Sequence, residues 1–256
     1  MSGMMFDRTA RLLGPEAMRR LGDVRVIVFG VGGVGSWTAE TLVRTGIRHL
    51  TIVDADRVAE SNINRQLPAL STTVGKVKTE VLRQHLLEIN PEAEITAIHG
   101  LYTADSADSF DLTEWDYVVD AIDSLSDKAL LILRATEAMA VTSGGPHPVR
   151  FYSSMGAALK MDPSRIGVAE FWKVKGCPLA AALRRRFKKS GIFPARKFKC
   201  VYSDELVRNH PDFTSDGEET AMSYGKMAVN GSLMHITAIF GITLASLIIR
   251  DICDKS

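Results

Sequence analysis

The first residues whose types could support chemistry form a glycine-rich turn, Gly30-Val31-Gly32-Gly33-Val34-Gly35. This turn follows the apolar stretch 24–29 and precedes a stretch with helical spacing. Glycines at such a turn let the backbone approach a phosphate, and the first turn of a helix supplies unpaired N–H groups. Asp54 ends the next apolar stretch, where a carboxylate can hold ribose hydroxyls. The pattern therefore predicts a nucleotide site formed by Gly30, Gly32, Gly33, Gly35 and Asp54.

A second group of polar residues favours a nucleoside triphosphate over a dinucleotide. Its members follow Asp54 in order and are Asp56, Asn62, Asn64, Arg65 and Lys78. The additional negative charge of a triphosphate requires fixed cations and amide donors, which a dinucleotide does not need. Asp123 follows a later apolar stretch, where ligands of open sheets bind, and its carboxylate suits Mg²⁺ bridging phosphate oxygens. We predict that these five residues belong to the ATP-binding site, that Arg65 and Lys78 act in catalysis by stabilising phosphate charge, and that Asp123 binds Mg²⁺.

The same residues carry a resemblance to a known family. The motifs G-V-G-G-V-G, D-A-D, S-N-I-N-R-Q, G-K-V-K and D-A-I-D, within residues 5–142, resemble the ubiquitin-activating-like adenylating enzymes, which include MoeB, ThiF and HesA. The resemblance implies that Asp54 holds the ribose, and that Asn62, Arg65 and Lys78 meet the ATP phosphates. It implies that Asp123 helps to hold Mg²⁺. It also implies a homodimer in which an N-terminal arginine, Arg8 or else Arg11, reaches the ATP of the other subunit.

The second half of the chain narrows the resemblance to one branch. Its stretches S-S-M-G, M-D-P-S, C-P-L-A and V-Y-S are similar to the tRNA threonylcarbamoyladenosine dehydratases. This resemblance implies ATP-dependent adenylation of the threonyl carboxylate of N6-threonylcarbamoyladenosine in tRNA, followed by ring closure with formal loss of water. It implies ATP and Mg²⁺ as cofactors, and it allows for a monovalent cation and a sulfur-relay protein partner.

A basic segment fits an RNA substrate. Local positive charge can bind tRNA phosphates even where the whole chain is nearly neutral. A solvated basic helix surface is the alternative. The predicted tRNA-binding residues are Arg184, Arg185, Arg186, Lys188, Lys189, Arg196, Lys197 and Lys199.

In the first half of the chain, sequence patterns typical of strands alternate with patterns typical of helices. This alternation predicts an α/β fold with a Rossmann-like, doubly wound, mostly parallel sheet that positions the residues named above. We expect helices over 36–44, 75–90, 125–140 and 179–189, and strands that include 157–160 and 166–168. The second half is predicted to form an antiparallel and helical extension. One domain, 1–256, is expected, with a nucleotide-binding half (1–144) and a half for substrate and tRNA binding and dimerisation (145–256). The polar stretch 208–219 is predicted to be mobile.

Composition excludes several classes of protein. The chain has 256 residues, of which 46% are hydrophobic and 24% charged, so wholesale disorder is excluded. A formal net charge of +1 excludes a polycation. Cys177, Cys200 and Cys253 lack metal-ligand spacing, which favours a reducing cytoplasm over a disulfide framework or zinc ribbon. Polar residues interrupt the apolar run 233–249, so we expect a buried helix and no stable membrane span, with peripheral membrane contact as the alternative.

Three rival functions remain open at this point. The chain could adenylate the C-terminal carboxylate of a ubiquitin-like or sulfur-carrier protein, in which case pyrophosphate exchange would require that protein. It could be an NAD-binding oxidoreductase, in which case Arg65 and Lys78 would make no phosphate contacts. It could also be a nucleotide-regulated tRNA-binding module without turnover. The substitution Asp123→Ala would then leave RNA binding intact and have no reaction to abolish.

Overall fold

The fold is built on one seven-stranded sheet. A computed structural model describes residues 5–213 and 230–254. The strands are β1 (Arg25–Phe29), β2 (His49–Asp54), β3 (Glu94–His99), β4 (Tyr117–Asp120), β5 (Arg150–Ser154), β6 (Ile166–Glu170) and β7 (Lys199–Ser203). The helices are α1 (Asp7–Asp23), α2 (Gly35–Thr45), α3 (Lys78–Ile89), α4 (Leu125–Val141), α5 (Pro178–Ser190) and α6 (Met234–Cys253).

The order of the strands is β3-β2-β1-β4-β5-β7-β6. Every neighbouring pair is parallel except β6–β7, which is antiparallel. The prediction of a mostly parallel α/β sheet with an antiparallel and helical C-terminal extension is therefore confirmed. The parallel strands all end on the same side of the sheet, which we call the carboxyl end, and begin at the amino end.

Both faces of the sheet are covered by helices, because alternate residues of each central strand point to opposite sides. On one face, Val26 and Val28 of β1 belong to a buried cluster with residues of α2, α3 and α6. On the other face, Ile27 and Phe29 belong to a second cluster with residues of α4 and α5. The sheet therefore lies between two apolar layers.

Helix α6 is the apolar run of the C-terminal region. It is the one helix among residues 5–213 and 230–254 whose length and composition would allow it to cross a membrane. Its residues Ile236, Phe240, Leu244 and Ile248 are fully buried in the cluster that α6 shares with α2. The structure therefore places this run in the protein core, as the polar residues within it predict.

Two expectations about local structure were wrong. The helix expected over 75–90 begins at Lys78, because Gly75 has a positive φ of 85° and Val77 forms an antiparallel bridge with Arg57. The strand expected over 157–160 is a loop. The backbone N–H of Leu159 donates to Gly231, far along the chain, and Leu159 has a positive φ of 58°. Of the stretch 208–219, which was expected to be mobile, residues 214–219 lie outside the described residues.

Candidate active site

The glycine turn lies at the carboxyl end of the sheet, between β1 and α2. The N–H of Gly30 donates to the carbonyl of Val53 at 2.8 Å. Gly30 has a positive φ of 86°, and a Cβ there would lie 2.7 Å from the carbonyl oxygen of Ala121. At Gly35 a Cβ would lie 1.8 Å from the carbonyl oxygen of Gly30. These two glycines are therefore required by the close approach of backbone within the turn.

The two middle glycines have different surroundings. A Cβ on Gly32 would make an ordinary contact of 3.6 Å with the side chain of Gln66, and one on Gly33 would lie 3.1 Å from Thr237. Backbone atoms do not crowd these positions as they crowd Gly30 and Gly35. Gly32 and Gly33 are therefore the glycines of the turn whose lack of a side chain is best explained by an approaching ligand.

Asp54 connects the glycine turn to the loop after β2. One carboxylate oxygen of Asp54 accepts from the N–H of Val31, and the other accepts from the N–H of Asp56, both at 2.8 Å. Asp56 in turn binds the ammonium of Lys78 at 2.7 Å. The Lys78 side chain is 5% exposed, whereas that of Asp56 is 67% exposed. The structure thus brings Asp54, Asp56 and Lys78 together beside the turn.

The loop that carries Arg65 packs against the first turns of α2. The indole N–H of Trp37 donates to the carbonyl of Arg65 at 3.3 Å, and the Ser36 hydroxyl accepts from the N–H of Leu67 at 3.3 Å. The Arg65 guanidinium donates to the carbonyl of Ser61 and to the side chain of Asn64, each at 2.9 Å. This docking holds the arginine close to the glycine turn.

The two asparagines of this loop have structural contacts of their own. The Asn62 side-chain oxygen accepts from the N–H of Ala59 at 3.1 Å, and the Asn64 amide donates to the carbonyl of Ser232 at 3.0 Å. Gln66 was missed as a site residue. Its side chain is buried behind Gly32, and its buried amide oxygen has no hydrogen-bond partner among the described residues. The motif S-N-I-N-R-Q was the signal that could have identified it.

A buried ion pair supports the loop that carries Asp123. Asp120, at the end of β4, accepts from the Ser153 hydroxyl at 2.6 Å and binds the Lys128 ammonium at 2.8 Å. Both ionic side chains are 0% exposed. Lys128 also donates to the carbonyl of Ile122 at 2.8 Å, and the N–H of Ile122 donates to Asp120 at 3.1 Å. Sequence reasoning missed Lys128, because a lysine on a helix is usually solvated.

Asp123 itself is exposed, one residue beyond this network. The buried Asp120 carboxylate already contacts Lys128, Ser153 and the N–H of Ile122. Asp123 is therefore the carboxylate of the D-A-I-D motif that is available to bind a metal ion. Across residues 5–213 and 230–254, no cluster of three or more His, Cys, Asp or Glu side chains is placed to bind a metal by itself. This arrangement fits Mg²⁺, which is commonly bound by one or two carboxylates with phosphate oxygens and water.

The remaining predicted residues lie away from the turn. Arg8 is exposed on the first turn of α1, and Arg11 pairs with Asp7 at 2.8 Å. Arg184 is half-buried and donates to two backbone carbonyls, so its side chain is a structural contact of α5. The other basic candidates are exposed, namely Arg185, Arg186, Lys188, Lys189, Arg196, Lys197 and Lys199.

Two of the three cysteines are buried. Cys177 immediately precedes α5 and is 3% exposed. Cys200 is fully buried, and its burial raises the pKa of the thiol well above the ordinary value. Cys253 is partly exposed, and all three thiols are free. None of the three lies on the glycine turn or on the loops of Arg65 and Asp123.

The fold and the site together define a nucleotide-binding protein of the Rossmann-like type. Cations and amide donors converge at the carboxyl end of the sheet, beside a turn whose middle glycines can admit a phosphate. The chain belongs to the ThiF family, whose model matches residues 6–255.

Similar proteins match nearly the whole chain. The tRNA threonylcarbamoyladenosine dehydratase of Escherichia coli (strain K12) is 36% identical to this chain over an alignment 266 residues long, gaps included. The alignment covers 98% of this chain and 94% of that protein. The crystal structure of the E. coli enzyme in complex with AMP has a TM-score of 0.83 at 33% identity and covers 99% of this chain and 95% of that chain. Its complex with ATP has a TM-score of 0.81 at 32% identity, with the same coverage.

Proposed function

We propose that this protein uses ATP to adenylate the threonyl carboxylate of N6-threonylcarbamoyladenosine in tRNA, and that ring closure then yields the cyclic nucleoside with formal loss of water. The observation that carries the proposal is similarity over both halves of the chain to a dehydratase whose structures hold AMP and ATP. This similarity covers the second half of the chain as well as the nucleotide-binding half.

The reaction balances without a protein nucleophile. A carboxylate oxygen of the threonyl group attacks the α-phosphorus of ATP, and pyrophosphate leaves. The resulting acyl-adenylate is attacked at its carbonyl carbon by a nucleophile within the same modified nucleoside. AMP then leaves with the carboxylate oxygen that formed the bond to phosphorus. Positioning and stabilisation of developing negative charge are the main requirements of such a reaction.

The residues around the glycine turn can meet these requirements. Gly32 and Gly33 admit the phosphates to the backbone N–H groups of the turn, while Asp54 lies at the end of β2, where ribose hydroxyls bind. Arg65 and Lys78 stabilise the charge on the phosphates. The Lys78 ammonium is already fixed by Asp56, so it reaches a phosphate oxygen without the cost of ordering a free side chain. Asp56, Asn62 and Asn64 hold these cations and their loop in place.

Asp123 is the residue that would hold Mg²⁺ together with oxygens of the triphosphate. When bound, the ion would neutralise charge on the phosphates. The contribution of the chain is to keep the Asp123 carboxylate exposed and its loop rigid, through the buried contacts of Lys128 with Asp120 and Ile122. A monovalent cation is a further expected ligand.

The proposal also covers the oligomeric state, the cellular location and the partners of the enzyme. We infer a homodimer in which Arg8 reaches the ATP of the other subunit, since Arg8 is exposed and Arg11 is already paired with Asp7. Residues 145–256 would then contribute to tRNA binding and dimerisation. We propose a cytoplasmic location, which the three free thiols support. A sulfur-relay partner and peripheral membrane contact stay predictions of the family resemblance and of the apolar C-terminal run.

The test is the release of AMP and pyrophosphate from ATP–Mg²⁺. Purified protein is incubated with tRNA that carries threonylcarbamoyladenosine and, separately, with the same tRNA lacking the modification. We expect release only with the modified tRNA, together with the loss of one water from the nucleoside mass. Release that instead requires a small protein ending in Gly-Gly would contradict the proposal and support activation of a carrier protein.

A further inference from the structure

The charge of the chain is concentrated in one segment. Residues 171–199 contain six lysines and four arginines but neither aspartate nor glutamate, which gives a formal charge of +10. The whole chain has a charge of +1, so the remaining residues together carry −9. Positive charge that is concentrated in one segment indicates a binding region for a polyanionic partner.

Much of this charge lies at the amino end of the sheet, opposite the nucleotide site. Helix α5 begins directly after Cys177. The Cys177 sulfur would lie 3.9 Å from a Cβ added at Gly156, which follows the carboxyl end of β5, so the first turn of α5 lies at that end of the sheet. After α5, the chain returns to the start of β7 at Lys199. The 13 residues of α5 span ~20 Å, so its basic last turns lie roughly that far from its first turn.

Two exposed aromatic side chains lie in this basic surface. Trp172 is 38% exposed and Phe193 is 52% exposed, and their ring centroids are 6.1 Å apart at an interplanar angle of 44°. Lys173 follows the tryptophan directly and is exposed. Lys188 and Lys189 are exposed on the last turn of α5, shortly before Phe193. An exposed pair of rings, with exposed lysines close by in the chain, suits unpaired nucleobases, which stack on aromatic faces while the phosphates meet the cations.

The tryptophan is held rigidly from behind. The fully buried ring of Phe171 contacts Trp172 edge-on, with centroids 5.2 Å apart. The Arg184 guanidinium donates to the carbonyls of Phe171 and Val174, at 3.1 and 3.0 Å. Arg184 is therefore a positioning residue for the turn that presents Trp172. A ring whose position is already fixed loses little conformational entropy when a base stacks on it.

We propose that the aromatic–basic patch, formed by Trp172, Phe193, Lys173, Lys188 and Lys189, binds unpaired bases of the tRNA at a second contact region separate from the site of the modified nucleoside. The inference rests on the proposed function for the identity of the RNA. A membrane is a poorer fit, because the apolar side of α5, including Leu183 and Phe187, is buried in the core and cannot enter lipid.

The first experiment measures tRNA binding independently of turnover. Binding of fluorescein-labelled unmodified tRNA to the full-length protein is measured by fluorescence anisotropy, and the Kd is compared for wild type, Trp172→Ala/Phe193→Ala, Trp172→Phe and Ile192→Ala. We expect the double variant to weaken binding roughly tenfold, since one stacked base is worth about 5- to 150-fold in affinity. Trp172→Phe keeps an aromatic face and is expected to retain most of the affinity. Ile192 is an exposed aliphatic neighbour and serves as the control.

The second experiment separates this inference from the proposed function. With modified tRNA as substrate, the double variant should raise the KM for tRNA about tenfold and leave kcat unchanged. An unchanged Kd and KM would overturn the inference while turnover by the same protein upholds the proposed function. If no form of the protein turns over modified tRNA but the double variant still loses tRNA binding, the proposed function is overturned and the inference about the patch is upheld.

Two other occupants of the patch would give distinct results. If anionic phospholipid vesicles quench Trp172 fluorescence and tRNA does not, the patch is a membrane contact and the inference is wrong. If Trp172→Ala/Phe193→Ala converts a dimer into a monomer in analytical ultracentrifugation, the patch is an interface between copies of the chain, and the inference is again wrong. A sedimentation coefficient equal to that of the wild type, with weakened tRNA binding, supports the inference.

Discussion

Removal of the Lys128 ammonium should destabilise the protein strongly, because it leaves a buried carboxylate without its counterion. In Lys128→Met, Asp120 would keep its hydrogen bonds from Ser153 and from the N–H of Ile122. It would lose an ion pair whose two side chains are 0% exposed. Breaking such a pair on one side costs about 3–5 kcal/mol. The carbonyl of Ile122 would also lose its hydrogen bond from Lys128, so the upper half of this range is expected.

The assay is urea unfolding followed by circular dichroism at one protein concentration. The double variant Asp120→Asn/Lys128→Met contains no buried charge at this site and should recover at least half of the loss, since neutral replacement of a buried pair is often tolerated. Ser126→Ala, an exposed position in the first turn of α4, is the control. A loss below about 1 kcal/mol for Lys128→Met would refute the reasoning, as would a double variant less stable than the single one.

Three further predictions follow from the site and its surroundings. Lys78→Ala should lower the rate of AMP formation about 10²–10³-fold, as for other lost donors to developing negative charge, and the folded protein should persist in circular dichroism. Gly35→Ala should lower the yield of folded protein, because its Cβ would overlap the carbonyl oxygen of Gly30. His85→Gln should lower the Tm most below pH ~6.5, because a hydrogen bond to Glu40 raises the pKa of His85.

Two of these three predictions have a matched control variant, and the third is tested by its pH dependence. For Lys78→Ala it is Arg57→Ala, an exposed cation that donates to the carbonyl of Gly75, and an equal loss of activity in both would contradict the assignment. For Gly35→Ala it is Gly32→Ala, whose added methyl meets ordinary contacts. If Gly32→Ala misfolds as severely, the division of roles within the turn is wrong.

The pH dependence at His85 has a defined sign. The pKa of His85 is higher in the folded protein than its value of about 6.5 in the unfolded chain. The protonated side chain therefore stabilises the fold fully below pH 6.5, and this contribution is lost as the pH rises through the pKa of the folded state. Burial acts to raise the pKa of Glu40, but hydrogen bonds from His85 and Arg44 outweigh it and lower that pKa. The difference in Tm between wild type and His85→Gln should therefore shrink from pH 6 to pH 8. A difference that grows over this range would contradict the interpretation.

The glycine turn and the strand–helix alternation could be predicted because they are local patterns. Gly35 is required by a contact with Gly30 inside the turn, and the positive φ of Gly30 belongs to the turn as well, although Ala121, just after the neighbouring strand β4, also crowds Gly30. The start of α3 could not be predicted in this way. Val77 fits the apolar spacing of α3, since Val81 follows it by four residues, but its bridge with Arg57 keeps Val77 extended, and that contact joins two separate loops.

Lys128 was not identified from the sequence, and Arg184 was predicted to bind tRNA without its structural contacts being foreseen. Both show the same limit. Lys128 and Arg184 both lie on helices with other polar residues, where a charged side chain is usually solvated. Lys128 is buried because Asp120 lies at the end of the adjacent strand, and Arg184 is half-buried because two carbonyls of the turn after β6 face it. Both partners are brought close by the tertiary fold, so no spacing in the sequence reveals them.

The measurement that tests the central claim most directly follows the oxygen of the threonyl carboxylate. tRNA bearing threonylcarbamoyladenosine with ¹⁸O at both oxygens of that carboxylate is incubated with the protein and ATP–Mg²⁺, and the AMP and the nucleoside are analysed by mass spectrometry. Adenylation of the carboxylate predicts one ¹⁸O in each AMP released, with the cyclic nucleoside retaining one. AMP without ¹⁸O, accompanied by the same cyclic product, would contradict the claim that the carboxylate attacks the α-phosphorus.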